Sequence, residues 1–192
     1  MIEQLKIWDE DLFLWLNSFH TDWLDVINFQ LSQTYTWLPF YAILIFFIYK
    51  VDPKNSWWVF GGVALTILIS DQVTSGIMKP FFERLRPCHD ERWDDMVHNY
   101  RRCGGLFGFA SSHAANTFGL AVFLNLKMKG KLRFLPWLFL WAAVISYTRI
   151  YLGVHYPGDI IVGALVGVAA GLISWFVIVF VRRELLKMIL KD

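Results

Sequence analysis

The chain has 192 residues, of which 56% are hydrophobic, and its mean hydropathy is +0.44. A soluble domain of this length could not hide that much apolar surface, so a single membrane-embedded domain over residues 1–192 is expected. A formal net charge of +2 gives no sign of a nucleic-acid partner, and the placement of the charges is more informative than their sum.

Residues Met1 to Phe19 carry Glu3, Asp9, Glu10 and Asp11, where a cleavable signal would have a basic start and an apolar run. Ile2, Leu5, Trp8, Leu12, Trp15 and Phe19 recur at helical spacing, which predicts an amphipathic helix lying in the membrane interface. Five membrane spans follow, at roughly 26–49, 57–79, 107–127, 133–151 and 158–181, each near the ~20 residues that cross the hydrocarbon core. The fold class is therefore all-α, a polytopic bundle of five spans plus the interfacial helix. In the first span Asn28, Gln30, Ser32, Gln33 and Thr34 are polar, and Pro39 is placed to kink it. The second span contains Asp71; an acid at membrane depth is read as support for the site or a helix–helix hydrogen bond. In the last span Gly163, Gly167 and Gly171 form a small-residue stripe for close helix packing.

Basic residues mark one face. Lys50 and Lys54, then Lys127, Lys129, Lys131 and Arg133, then Arg182, Arg183, Lys187 and Lys191 fall on the same side of five alternating spans, the cytoplasmic side by the positive-inside rule. The N-terminal helix and the loop from Pro80 to Leu106 then face outward. That loop is basic too (Arg84, Arg86, Arg92, Arg101, Arg102), against the rule, which suggests cations retained for function. Cys88 and Cys103 both lie in it. In an oxidising compartment they can pair and close a loop of about 15 residues, worth ~3 kcal/mol in the chain-entropy model. Two free thiols, or a zinc site shared with His89 and His98, are the alternatives.

The outer rim collects the chemistry. The second span ends at Lys79, the third begins near His113, the fourth ends at Arg149 and the fifth begins just after His155. Three fixed cations, two histidines and the carboxylate of Asp159 thus converge at one end of the bundle, a set suited to phosphate chemistry. At this point the chain resembles the type 2 phosphatidic-acid phosphatase family, which is related to vanadium haloperoxidases and bacterial acid phosphatases. Lys79-Pro-Phe-Phe-Glu-Arg-Leu-Arg86-Pro87 fits K-x6-R-P. Ala110-Ser111-Ser112-His113 fits P-S-G-H at serine and histidine. Thr148-Arg149 with His155 and Asp159 fits S-R-x5-H-x3-D with threonine for serine. The motif core covers residues 57–181.

The resemblance implies that His155 attacks phosphorus to form a phosphohistidine, that Asp159 orients its ring, and that His113 protonates the leaving oxygen. It implies phosphate binding by Lys79, Arg86 and Arg149, with Ser111 and Ser112 beside them. Ser112 is also read as a simple helix cap, and Thr148 and Asp71 as supporting residues behind the phosphate contacts. No metal or other cofactor is called for. The partners are the bilayer and a lipid phosphate; oligomeric state is not legible. The expected activity is a metal-independent lipid phosphatase of a bacterial inner membrane, acting at the periplasmic face. The substrate reading leans to undecaprenyl diphosphate, with lipid A the close second and phosphatidylglycerol phosphate and phosphatidic acid as further alternatives. A vanadate-dependent haloperoxidase and a non-catalytic lipid-phosphate binder or transporter are the rivals.

Overall fold

The computed structural model describes residues 1–101 and 103–190; Arg102 and Lys191, and the side chain of Ile2, lie outside the described residues. The described residues form helices and no strand, with one isolated antiparallel bridge between Leu85 and Phe107. In chain order the helices are α1 (Ile2–Asn17), α2 (Asp22–Ser32), α3 (Leu38–Val51), α4 (Ser56–Asp71), the one-turn α5 (Lys79–Phe82), α6 (Ser112–Lys127), α7 (Trp137–Tyr151) and α8 (Pro157–Ile189). A widened helical segment, Gln72–Met78, joins α4 to α5 without a break.

Three helical stretches are long and apolar enough to cross a membrane: Thr34–Val51, Ser56–Phe82 and Pro157–Ile189. The protein is thus an all-helical membrane protein, but helix length alone does not give the five expected spans. Helices α6 and α7 have 16 and 15 residues. At 1.5 Å rise each they reach only about 22–24 Å, short of the ~30 Å hydrocarbon core. The expected start of α6 near residue 107 is displaced to Ser112 because residues 106–108 are extended. Arg86 N–H donates to Leu106 O (3.1 Å) and Gly108 N–H to Arg84 O (2.8 Å).

The expected first span over 26–49 is two helices. Side chains terminate α2 by taking its last carbonyls: Ser32 Oγ donates to Phe29 O (2.8 Å), Thr36 Oγ1 to Gln30 O (2.7 Å) and Trp37 Nε1 to Leu31 O (2.7 Å). A short turn, Thr34–Trp37, follows. Pro39 then lies in the first turn of α3, where a missing N–H costs nothing, and it does not kink a span. At the other extreme α8 runs 33 residues, well past position 181, and carries Arg182, Arg183 and Lys187 in its last turns.

Helices α6 and α8 are in the closest contact of any pair. A Cβ built at Gly163 would collide with Ser111 O and one at Gly167 with Ala115 O, while one at Gly171 would lie 2.7 Å from Gly119 O. The glycine stripe therefore seats the backbone of α6 directly on α8. Leu44, Ile48, Val59, Phe123, Leu124 and Leu138 fill the core on the side of the bundle away from α1. There the α3–α4 and α6–α7 loops are joined by an ion pair between Asp52 and Lys131. At the opposite end α1 packs across the ends of α7 and α8. Phe13 is fully buried with Ile150 and Tyr156. Asn17 Nδ2 donates to Tyr151 O (2.8 Å), and Asn17 Oδ1 accepts from His98 N–H (2.8 Å). Leu5, Trp8, Leu12, Trp15 and Phe19 are exposed, so the apolar stripe points away from the protein. Helix α1 has two working faces: one docks on the bundle, the other is free for lipid.

Candidate active site

The site is built where α5, α6, α7 and α8 meet. Loop residue His155 and Asp159, in the first turn of α8, are side by side. His155 Nδ1 lies 3.2 Å from Asp159 Oδ2, and the two side chains are 2% and 0% exposed. An ionised carboxylate only accepts, so Nδ1 must carry the proton. On the other side of the ring Nε2 faces Arg86 Nη1 at 3.4 Å, and a guanidinium only donates. Both neighbours select the same tautomer, with the lone pair of Nε2 turned toward Arg86. Burial first, and then the positive charges of Arg86, Arg149, Lys79 and Arg84, push the His155 imidazole well below its ordinary value of 6.5. Both effects favour the neutral ring.

Asp159 is held from several directions. Oδ2 also accepts from Tyr156 N–H (3.1 Å), closing the first turn of α8, and Oδ1 accepts from Arg84 Nη1 (2.9 Å). Gly108 lies against the pair: a Cβ there would be 3.1 Å from Asp159 Oδ2, 3.3 Å from Arg86 Cγ and 3.5 Å from His155 Nδ1. The extended pairing of 84–86 with 106–108 delivers Arg84, Arg86 and Gly108 to the dyad together.

Lys79 is steered by hydroxyls. Its Nζ donates to Ser112 Oγ (2.6 Å) and Ser75 Oγ (3.1 Å). Ser112 Oγ is also 2.9 Å from Thr74 Oγ1 and 2.8 Å from Ser75 Oγ. Ser75 Oγ donates in turn to Asp71 Oδ1 (3.2 Å), so Asp71 reaches Lys79 through one hydroxyl. Ser112 is thus not the helix cap that one reading of the sequence made it. The cap is Ser111, whose Oγ accepts from Ala114 N–H at 3.5 Å and whose N–H donates to Asp159 O at 3.0 Å. Ser111 is fully buried, so this serine ties α6 to α8.

Arg149, in the last turn of α7, has a buried Nε with no partner, as does Arg86. Two arginines with undirected N–H groups beside one imidazole make a ready anion site. His113, in the first turn of α6, lines the same cavity as Asp71 and Ser112. Thr148 does not join them. It is fully buried behind them, and its Oγ1 donates to Ile145 O within its own helix (2.6 Å).

Cys88 and Cys103 form a disulfide, with Cα atoms 5.9 Å apart, which removes the free-thiol and zinc alternatives. His89 Nε2 lies 3.2 Å from Gly104 O and His98 Nε2 lies 2.8 Å from Asp25 Oδ1. Sequence reasoning placed Arg84 only among the loop's charges and gave no role to Asp9, Gly108 or Ser75. The Arg-Leu-Arg alternation at 84–86 was a usable signal, because extended backbone puts its two arginines on one face.

A family model described as PAP2 superfamily matches residues 55–183. The chain is 38% identical to a lipid A 4'-phosphatase of Bacteroides thetaiotaomicron over 189 residues, covering 92% of this chain and 80% of the relative. It is 37% identical to a lipid A 4'-phosphatase of Porphyromonas gingivalis over 182 residues, covering 92% and 75%. The crystal structure of Aquifex aeolicus LpxE superposes with a TM-score of 0.63 at 30% identity, covering 85% of this chain and 92% of that one. A PAP2-type phosphatidylglycerolphosphate phosphatase from Bacillus subtilis shares the fold, with a TM-score of 0.65 at 18% identity, covering 94% and 87%. The polyprenyl diphosphate leaning finds no support in these relatives. With the motif residues gathered at one end of a helical bundle and a family match over most of the chain, the protein belongs to the PAP2 superfamily.

Proposed function

We propose that this PAP2-superfamily lipid phosphatase removes a phosphate from lipid A, at the 4'-position named in its two bacterial relatives. The observation that carries the lipid reading is a cavity of about 700 Å³ continuous with the site. Asp71, Ser112 and His113 line one part of it, and Leu44, Ile48 and Leu124 another. From His113 to Leu124 the cavity follows α6 for about 16 Å at 1.5 Å per residue. A phosphate among the cations and an acyl chain along this wall can be held at once.

The chemistry follows from the side chains. His155 Nε2 attacks phosphorus as the bond to the sugar oxygen breaks, and His113 donates a proton to that departing oxygen. Lys79, Arg86 and Arg149 bind the equatorial oxygens, whose charge they stabilise through the transfer. Asp159 keeps Nδ1 protonated and balances the charge of the phosphorylated ring. Water, deprotonated by His113, then displaces His155 and releases inorganic phosphate. The set of fixed cations takes the place that a divalent metal holds in other phosphatases. The bundle has five crossings, the site facing the periplasm and the Asp52–Lys131 end the cytoplasm. In this arrangement α6 and α7 are short because the site is recessed between them.

The test is phosphate release from purified lipid A, undecaprenyl diphosphate, phosphatidylglycerol phosphate and phosphatidic acid, with His155→Ala as the blank. Turnover of lipid A at least tenfold above the others is expected. A preference for undecaprenyl diphosphate would overturn the substrate, and equal phosphate release by the blank would overturn the mechanism.

A further inference from the structure

Helix α1 lies outside the family motifs, yet it reaches the catalytic dyad. Arg84 donates through Nη1 to Asp159 Oδ1 (2.9 Å) and through Nη2 to Asp9 Oδ2 (2.7 Å). The other oxygen of Asp9 accepts from Gly158 N–H at 2.6 Å, the residue just before Asp159. The four groups close a ring: α1, the extended segment, the carboxylate, and the backbone that bears it. The guanidinium of Arg84 is also seated on the Tyr156 ring, 3.9 Å from its centroid, and Phe13 meets that ring edge-on at 5.2 Å. Gly158 admits this contact because it has no side chain: a Cβ there would be 2.9 Å from Asp9 Oδ2.

The ring divides the labour of Asp159. With Oδ1 held by Arg84, Oδ2 is left for His155 Nδ1 and Tyr156 N–H. One rotamer of the carboxylate satisfies all three, and that rotamer sets the plane of the imidazole. Without Arg84, Oδ1 loses its hold and the carboxylate is kept only by Tyr156 N–H and His155 itself, so the aim of His155 Nε2 is less well fixed. Arg84 in turn is braced by the Tyr156 ring and from α1, where Asp9 orients its second amino group. Carboxylate partners of a reacting histidine commonly set activity by such orientation.

We infer that Asp9 and Arg84 are positioning residues for the His155–Asp159 dyad, making the lipid-facing helix α1 a working part of the catalytic site. The inference rests on the phosphatase reading above. The charged groups of both residues are engaged with each other, Asp159 and Gly158 N–H, so the chemical step is expected to bear the loss and binding to be spared. Helix α1 presents Leu5, Trp8, Leu12 and Trp15 on its outer face, so its seating in lipid is transmitted to the nucleophile.

The experiment compares Asp9→Asn, Arg84→Gln, Arg84→Lys, the Asp9→Asn/Arg84→Gln pair and Glu10→Gln, with kcat, KM and Tm measured for each. Glu10 is the control: it joins the same helix to Arg92 (2.9 Å), away from the dyad. Asp9→Asn and Arg84→Gln are each expected to lower kcat by about 10- to 100-fold with KM within twofold. The pair should lose no more than the worse single variant, Arg84→Lys should recover part of the rate, and Glu10→Gln should keep kcat within twofold. Losses that multiply in the pair, that follow Tm across the set, or that appear equally in Glu10→Gln would overturn the inference. Orthovanadate, a phosphate-shaped ion that takes an imidazole ligand, is titrated into the same proteins. If the wild type binds vanadate but turns over no lipid phosphate, the function reading fails alone. Weaker vanadate binding by Asp9→Asn than by Glu10→Gln would then uphold the positioning role, and equal binding would end it.

Discussion

In the proposed mechanism His155 attacks as the neutral imidazole, and its surroundings set the pH at which it can do so. Its imidazole is held well below 6.5 by burial and by the neighbouring cations, so it stays unprotonated as pH falls through the ordinary histidine range. The sign is direct: activity is lost only when pH drops through the lowered value, because protonation then removes the lone pair. The acid limb of kcat/KM is therefore expected below pH 6.5, and a limb at or above that value would contradict a buried, cation-flanked nucleophile. His113 is the proton donor of the proposed mechanism. His113→Ala should reduce kcat by roughly 10²–10⁴-fold on lipid A, and much less on an activated aryl ester whose leaving group needs no proton. Gly108 is the residue that the motifs do not mention. With Asp159 Oδ2 3.1 Å and Arg86 Cγ 3.3 Å from a built Cβ, Gly108→Ala is expected to lower kcat while leaving Tm within a few degrees.

At the scale of elements, the contact between α6 and α8 fixes the distance between the two halves of the site. Helix α6 brings Ser111, Ser112 and His113, and α8 brings Asp159, with Ser111 N–H donating to Asp159 O (3.0 Å). The glycine stripe makes that approach possible. A methyl group at position 167 would collide with the backbone of Ala115, which cannot rotate away as a side chain can. Gly167→Ala should cost about 1–3 kcal/mol by overpacking, seen as a lower Tm in detergent with activity falling in parallel. Gly61, whose Cβ would meet nothing within 4 Å, is the internal control: Gly61→Ala should leave Tm unchanged or raised.

For the whole molecule, the stretch from Arg84 to Gly108 is stapled at several of its described residues. The Cys88–Cys103 disulfide closes a separation of 15 residues. Its removal by Cys88→Ser with Cys103→Ser should cost roughly 3 kcal/mol in the chain-entropy model, read as a fall in Tm that a reductant reproduces in the wild type. Cysteine labelling from either side of the membrane checks the topology. A cysteine at position 54 and one at position 91 should react from opposite sides, with 91 accessible from the periplasm; labelling of both from one side would undo the five-crossing arrangement.

The residues decided much of this on their own. The apolar composition demanded a membrane protein, and apolar runs of ~20 residues demanded helices over a closed barrel. The four-residue separation of His155 and Asp159 across the start of a helix, and the Gly163-Gly167-Gly171 stripe on one helix face, are local properties, so both were readable before any packing was known. The break at Ser32–Trp37, the use of Ser112 to steer Lys79, and the withdrawal of Thr148 into its own helix were not. Each depends on which of several partners a hydroxyl or indole finds, and that choice is made by neighbours distant in the chain. The ring of Asp9, Arg84, Asp159 and Gly158 is the extreme case: its members lie up to 150 positions apart along the chain. Local sequence determines which polar groups an element carries, and only the packed bundle determines which of them face each other.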